Sequence, residues 1–380
     1  MKGSHVFNFK KRLLCTVAID ALALAVCLLT FAYFHHVRVR EVTPTSVAAP
    51  ALAAAQAAQA AALESGGADA ALPQSGSPAE DAGGESGGAE HLSAGLDTSG
   101  MFGAKFADKF ASGEAEVTDS SYKSKNVSIE IEKKQMNTST YYVADIYIRD
   151  VSCFRTGVAM EYKEFNENDR KNVMQTPQLA QLTDAVLAIS GDNYVYRNAG
   201  VLAVRNGMEW AKKSPYTDDV CVMYFDGSME VFSSKAASAW RTYVDGVYEK
   251  GPYQIWSFGP SLLDENGKAK TSFSNNSIFP ENPRSALGYY EPGHYCFVLV
   301  DGRQAGYSVG LTLAELSTVF EELGCTLAYN MDGGDTVAMT FEGEFVNHPQ
   351  DAEPRPTSDI VLIGEPVDLT ALMTQSGEEA

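Results

Sequence analysis

Two short apolar runs, Tyr295–Val300 and Cys325–Tyr329, flank a stretch punctuated like an α-helix, and this ordered triplet constrains the fold more than any other part of the chain. Aromatic and β-branched members make each run a strand. Between them, Thr312 and Glu315 have capping-box spacing, Leu313, Leu316, Val319, Phe320 and Leu323 trace one apolar face, and Gly324 closes the C-terminus. Strand, helix and strand in that order usually give parallel neighbours joined by a right-handed crossover. The expected fold is therefore α+β, with a mixed β-sheet carrying a β-α-β crossover unit near its centre and hairpins on its flanks. Two hairpins are legible at once. CVMYFDGSMEVF turns at Asp226-Gly227, and AVRNGMEW turns at Asn206-Gly207. Farther upstream, the alternation in SYKSKNVSIEIEKKQMNTSTYYVADIYIRD predicts edge strands.

If both strands of the crossover unit are parallel, Asp301 at the end of the first and Asp332 just beyond the second emerge from one edge, where open sheets bind ligands. Acidic turn residues at strand ends are also common as plain solvated turns, so the stretch YNMDGGDTVAM reads either as a tight turn or as the floor of a site. TVAMTFEGEF alternates like a further strand, which requires Gly333 and Gly334 to turn the chain sharply and brings their amides toward a ligand. Arg303 adds a planar cationic fork suited to phosphate or carboxylate. Asn330 either caps the turn or faces the ligand, and Asp192 in SGDNY divides evenly between turn acid and site residue. An EF-hand fails on spacing, because Phe341 stands where a bidentate Glu is required.

Upstream of this domain the chain is organised differently. Leu13–Phe34 is apolar enough and long enough to cross a bilayer, interrupted only by Asp20 near its start. Lys2, Lys10, Lys11 and Arg12 precede it, favouring a cytoplasmic N-terminus at 1–12 and an uncleaved signal anchor at 13–34. A cleaved signal peptide competes, but the small-residue runs begin well past the apolar segment. Residues 41–104 are rich in Ala, Gly, Ser, Pro and Glu, too poor in large apolar groups to fold alone, and read as a disordered tether. Residues 105–380 form the extracytoplasmic domain, held at the cell membrane by a single pass. A net charge of −20 argues against a nucleic-acid partner and against binding to anionic lipid by simple electrostatics. Cys153, Cys221, Cys296 and Cys325 lie in the domain, an even number that allows one or two disulfides in an oxidising compartment. Six dispersed histidines and the lack of any CxxC argue against zinc.

Several ordered blocks resemble the phosphodiester glycosidase family. NMDGGDT (Asn330–Thr336) is similar to its Asn-Leu-Asp-Gly-Gly-Gly-Ser block, NPRSALGY (Asn282–Tyr289) to its Pro-Arg-Thr-Ala-Ile-Gly block, and VLVDGRQAGYSVGLTLAEL to its Asp-Gly-Arg segment. AISGDNYVYRNAGVLAVRNG and RPTSDIVLI resemble the opening block and closing strand, so the likeness runs from about Ala185 to Ile363. Asp335 stands in place of a glycine, Thr336 in place of a serine and Ser190 in place of an asparagine. The resemblance implies hydrolysis of a sugar-1-phosphodiester in envelope or exopolysaccharide glycans. Arg284 and Arg303 would then clamp the phosphodiester, Asp301 and Asp332 would be the catalytic carboxylates, and Asn330, Gly333, Gly334, Thr336 and Asp192 would bind substrate. A divalent cation on Asp332 and Asp335 is the one cofactor this acidic loop leaves open. A glycan-binding or envelope-assembly protein without turnover is the competing class.

Overall fold

The computed structural model describes residues 100–159, 173–192, 202–212, 219–233, 237–273 and 280–369. The expected membrane span at 13–34 and nearly all of the tether lie outside these residues. Among the described residues, no helix is long and apolar enough to cross a membrane. In chain order the strands are β1 (Glu116–Val117), β2 (Ser121–Lys123), β3 (Val127–Met136), β4 (Ser139–Ile148) and β5 (Phe154–Val158). After helix α1 (Thr176–Leu182) come β6 (Leu187–Ser190), β7 (Leu202–Arg205), β8 (Met208–Lys212), β9 (Asp219–Tyr224) and β10 (Met229–Ser233). Helix α2 (Ala237–Lys250) leads to β11 (Pro252–Trp256), β12 (Arg284–Glu291) and β13 (His294–Val300). Helix α3 (Leu313–Leu323), β14 (Leu327–Asn330), β15 (Met339–Phe341), β16 (Glu344–Phe345) and β17 (Asp359–Ile363) follow in turn.

These strands make three sheets, ordered β1-β2-β3-β4-β13-β12-β14, β10-β9-β11-β7-β8 and β16-β15-β6-β17-β5. Every pairing among the described strands is antiparallel, so the fold is α+β but the sheet is not mixed. The crossover unit is present with one strand between its halves. β12 pairs antiparallel with both β13 and β14, leaving those two codirectional but not adjacent. Pro292-Gly293 makes β12 and β13 a hairpin, with Gly293 at φ +90°, and this local pairing wins the central position that a crossover neighbour would have taken.

The capping box of α3 forms as its spacing predicts. Thr312 Oγ1 accepts from the Glu315 amide at 3.2 Å, the Glu315 carboxylate accepts from the Thr312 amide at 2.9 Å, and Gly324 closes the helix at φ +80°. Both predicted hairpins are also present, with Met229 opposite Met223 and Met208 opposite Arg205. The edge-strand reading of the 121–148 region does not hold: β1 is the edge, β2 lies between β1 and β3, and β3 between β2 and β4. β4 lies between β3 and β13, and nearly all of it is buried. Phe102 and Phe106, ahead of the first strand, are buried in the main core with Phe154, Tyr295 and Phe297.

The helix α3 packs Leu313, Leu316, Val319 and Phe320 into a second core layer against β12, β13 and β14. That layer fixes where the two codirectional strands end. Replacing Thr312 with Ala removes the side-chain half of the cap and lowers stability by about 1 kcal/mol, read as a lower urea midpoint at unchanged m-value.

Candidate active site

Antiparallel register brings the predicted acids and one arginine to the same end of the first sheet. Arg284, the first residue of β12, pairs with Val300, the last of β13, and Ala286 pairs with Asn330, the last of β14. Asp301 and Asp332 follow directly at this end. The Asp332 loop is not a hairpin: it carries the chain from β14 in the first sheet to β15 in the third. Its ends are pinned across that gap, since the Asp332 amide donates to Gly191 O at 2.9 Å and Ser190 Oγ donates to Asp332 O at 3.2 Å.

Backbone packing at this end leaves no space for side chains. A Cβ on Gly302 would lie 2.5 Å from Pro283 N, on Gly310 2.4 Å from Asn282 C, and on Gly333 2.8 Å from Pro283 O. Asn282 to Arg284 is thus sandwiched between the loop after β13 and the loop after β14. Gly334, at φ +67°, donates its amide to Pro283 O at 3.0 Å, so that amide serves the fold. The Gly333 contact likewise makes its small size a packing requirement.

The two acids are held differently. Asp301 is 1% exposed and its carboxylate accepts from Tyr307 Oη at 2.8 Å, Asn347 Nδ2 at 2.9 Å and the His348 amide at 3.2 Å. Asp332 Oδ2 accepts from Thr336 Oγ1 at 2.8 Å and from Arg355 Nη2 at 3.0 Å. Gly333 O, 2.9 Å from the Thr336 hydroxyl, is a second acceptor that shares its single proton and shapes the loop from within.

The two arginines also differ in setting. Arg284 is buried, donating through Nε to Leu311 O at 2.9 Å and through Nη2 to Pro280 O at 2.7 Å. Burial first, and the like charge of Arg303 second, push its guanidinium down to about 10. Arg303 is partly exposed, with its backbone at φ +58° in the left-handed region. That conformation lays the guanidinium over Gly334, where a Cβ would come within 3.1 Å of Nη2. There it donates to Asn282 Oδ1 at 3.0 Å and to Asp335 Oδ1 at 2.5 Å.

Two predicted ligand residues are placed in the interior. Asp192 is buried, accepting at Oδ2 from Arg205 at 2.8 Å and from the Ser257 amide at 3.1 Å, while its own amide donates to Asp359 Oδ1. Arg205 Nε also reaches Asp359 Oδ2 at 2.9 Å, and all three side chains are at most 1% exposed. Asn330 Nδ2 donates to Gly259 O at 2.9 Å, while its Oδ1 is buried without a partner. Among the described residues, no cluster of three or more acids, histidines or cysteines is arranged to hold a metal, and Asp332 and Asp335 each face an arginine instead.

Sequence patterns miss Tyr307 and Asn347 and leave Arg355 and His348 in secondary roles. Tyr307 lies on the exposed tip of the Asp-Gly-Arg loop and Asn347 in the short turn after β16. Neither carries a pattern of its own, and only the fold brings them to Asp301.

The glycine packing makes a sharp stability test. Gly310 combines φ +103° with the Asn282 contact, so Gly310→Ala costs about 2–4 kcal/mol from backbone strain and overpacking together. Urea unfolding of the variant beside the unaltered chain measures it.

A phosphodiester glycosidase profile matches residues 183–364. The curated relative SPbeta prophage-derived uncharacterized protein YomE of Bacillus subtilis is 27% identical over 214 residues, covering 54% of this chain and 31% of that protein. The chain thus spans about a third of that relative's length. Among solved structures, the zebrafish N-acetylglucosamine-1-phosphodiester alpha-N-acetylglucosaminidase catalytic domain, auto-inhibited by its pro-peptide, aligns at a TM-score of 0.49 and 16% identity over 63% of this chain and 83% of that one. A hypothetical protein from Synechocystis aligns at 0.40 and 12% over 63% and 62%. With the matched segment reaching from the strand before Asp192 to the end of β17, residues 183–364 of this chain belong to the phosphodiester glycosidase family.

Proposed function

We propose that this chain is a membrane-anchored hydrolase that cleaves a sugar-1-phosphodiester outside the cytoplasm, with envelope or exopolysaccharide glycans as the source of substrate. The observation that carries this reading is geometric. Register places Arg284 at the head of β12 at the sheet end where Asp301 and Asp332 emerge, and the Arg303 guanidinium lies over Gly334 of the Asp332 loop, so two cationic forks and two carboxylates share one edge.

The chemistry follows from the leaving group. A phosphate monoester departs as a stable anion, its second pKa near 6, so the bond to the anomeric carbon breaks with little help from a general acid. What the reaction needs is a cationic clamp on the phosphate and a carboxylate for the positive charge growing on the sugar. Arg284 and Arg303 supply the clamp. Asp332, oriented by Thr336 and Arg355, serves the anomeric centre. Asp301, whose oxygens already accept from three groups, holds Tyr307 and the turn at Asn347–His348 in place beside it.

One observation favours a second reading, a glycan-binding or envelope-assembly protein without turnover. Asp335 occupies the guanidinium of Arg303 that the clamp requires, at 2.5 Å. Both groups are about half exposed, so the pair is weak and a phosphate competes with it.

The full chain in detergent, given α-N-acetylglucosaminyl phosphodiesters and a panel of other sugars, is assayed for free sugar. Asp332→Asn lowers kcat by about 100-fold or more, Arg303→Ala acts chiefly on KM, and EDTA leaves the rate unchanged. Saturable binding without sugar release from any panel member moves the assignment to the second reading.

A further inference from the structure

We propose that Cys296 and Cys325 are a disulfide site, and that the bond joins the strand leading to Asp301 with the segment leading to Asp332. The two sulfurs lie 3.5 Å apart. A disulfide needs about 2.05 Å, a closing movement within reach of side-chain rotation. Cys296 is on β13 and Cys325 sits just ahead of β14, with β12 running between them. Sulfurs on opposite sides of a strand ordinarily cannot meet. Here they do, because the residue of β12 opposite Cys296 is Gly288. A Cβ at Gly288 would stand 2.6 Å from the Cys296 sulfur and 2.8 Å from that of Cys325, so both thiols occupy the space its missing side chain leaves.

The other two cysteines are placed otherwise. Cys153 has its sulfur 4.0 Å from Asn126 O, and Cys221 is fully buried in the middle of β9. The link pairs Cys296 only with Cys325.

The step is an exchange with a disulfide oxidant, either a small-molecule disulfide or an oxidised dithiol protein. One cysteine loses its proton and attacks the oxidant, forming a mixed disulfide and releasing one thiolate. The second cysteine then displaces the other oxidant sulfur, so two electrons and two protons leave the pair and the oxidant becomes two thiols. Burial raises the Cys296 thiol well above its usual range, so the exchange belongs to folding, before β12 and α3 cover the sulfurs. The closed loop contains Asp301, Arg303 and all of α3. Its closure restricts the unfolded chain and is independent of whether the site turns over a substrate.

The test refolds the full chain in detergent with a glutathione redox buffer, alkylates it under denaturing conditions and determines the intact mass and the cross-linked peptides. The chain has six cysteines. Four alkyl groups and a peptide joining Cys296 to Cys325 are expected, together with a fall in Tm of roughly 5–10 °C on reduction. That fall is absent in Cys296→Ser and in Cys325→Ser. Six alkyl groups, or a link through Cys153 or Cys221, overturns the proposal, and this result needs no variant to fold.

Discussion

The close passage of Asn282–Pro283–Arg284 between two glycine-bearing loops is the constraint from which the rest of this end of the molecule follows. Backbone atoms there approach to distances that no Cβ tolerates, so Gly302, Gly310 and Gly333 act as spacers that let three chain segments touch. Arg284 is thereby fixed at the head of β12, and the loops carrying Asp301 and Asp332 are fixed against it from either side. A single added methyl in this layer would move an arginine and two carboxylates together.

Charge is sorted by depth in a chain of net −20. Deepest is the triad of Arg205 with Asp192 and Asp359, where desolvation is offset by hydrogen bonds to both carboxylates and to backbone. Arg284 comes next, held by carbonyl oxygens, and Arg303 with Asp335 lies outermost. At this sheet end Arg284, Arg303 and Arg355 stand among the carboxylates of Asp301, Asp332 and Asp335, so both signs of charge meet there.

Local features of the fold are legible in the residues themselves. The capping box, the Gly324 stop, the two-residue turn at Asn206-Gly207 and the three-residue loop that ends at Gly227 each depend on a few neighbouring residues, and local chemistry decides them. Asp301 and Asp332 leave the sheet on the same side, as a parallel crossover would require, but antiparallel pairing is the cause. Two antiparallel partners of β12 must run the same way, so codirection survives the loss of adjacency. β12 is hard to read from sequence because Ser285 and Gly288 break its apolar alternation. Asp192 is ambiguous because its partners, Arg205 and Asp359, are remote along the chain, and Tyr307 and Asn347 carry no periodic signal at all. Asp359 lies 167 residues from Asp192, and Asn347 lies 46 from Asp301, pairings that single-sequence patterns do not encode.

The third sheet imposes a timetable on synthesis. β5 is made early, yet its described pairing is with β17, which lies between β5 and β6 and comes from the far end of the family domain. Until Asp359–Ile363 leave the ribosome, β5 and β6 cannot both be satisfied, and Arg205 lacks one of its two carboxylates. The chain must therefore hold some two hundred residues in an unfinished state, with apolar strands open to wrong partners. Closure of the third sheet therefore waits for β17, and a truncation short of it removes the strand that β5 and β6 both pair with.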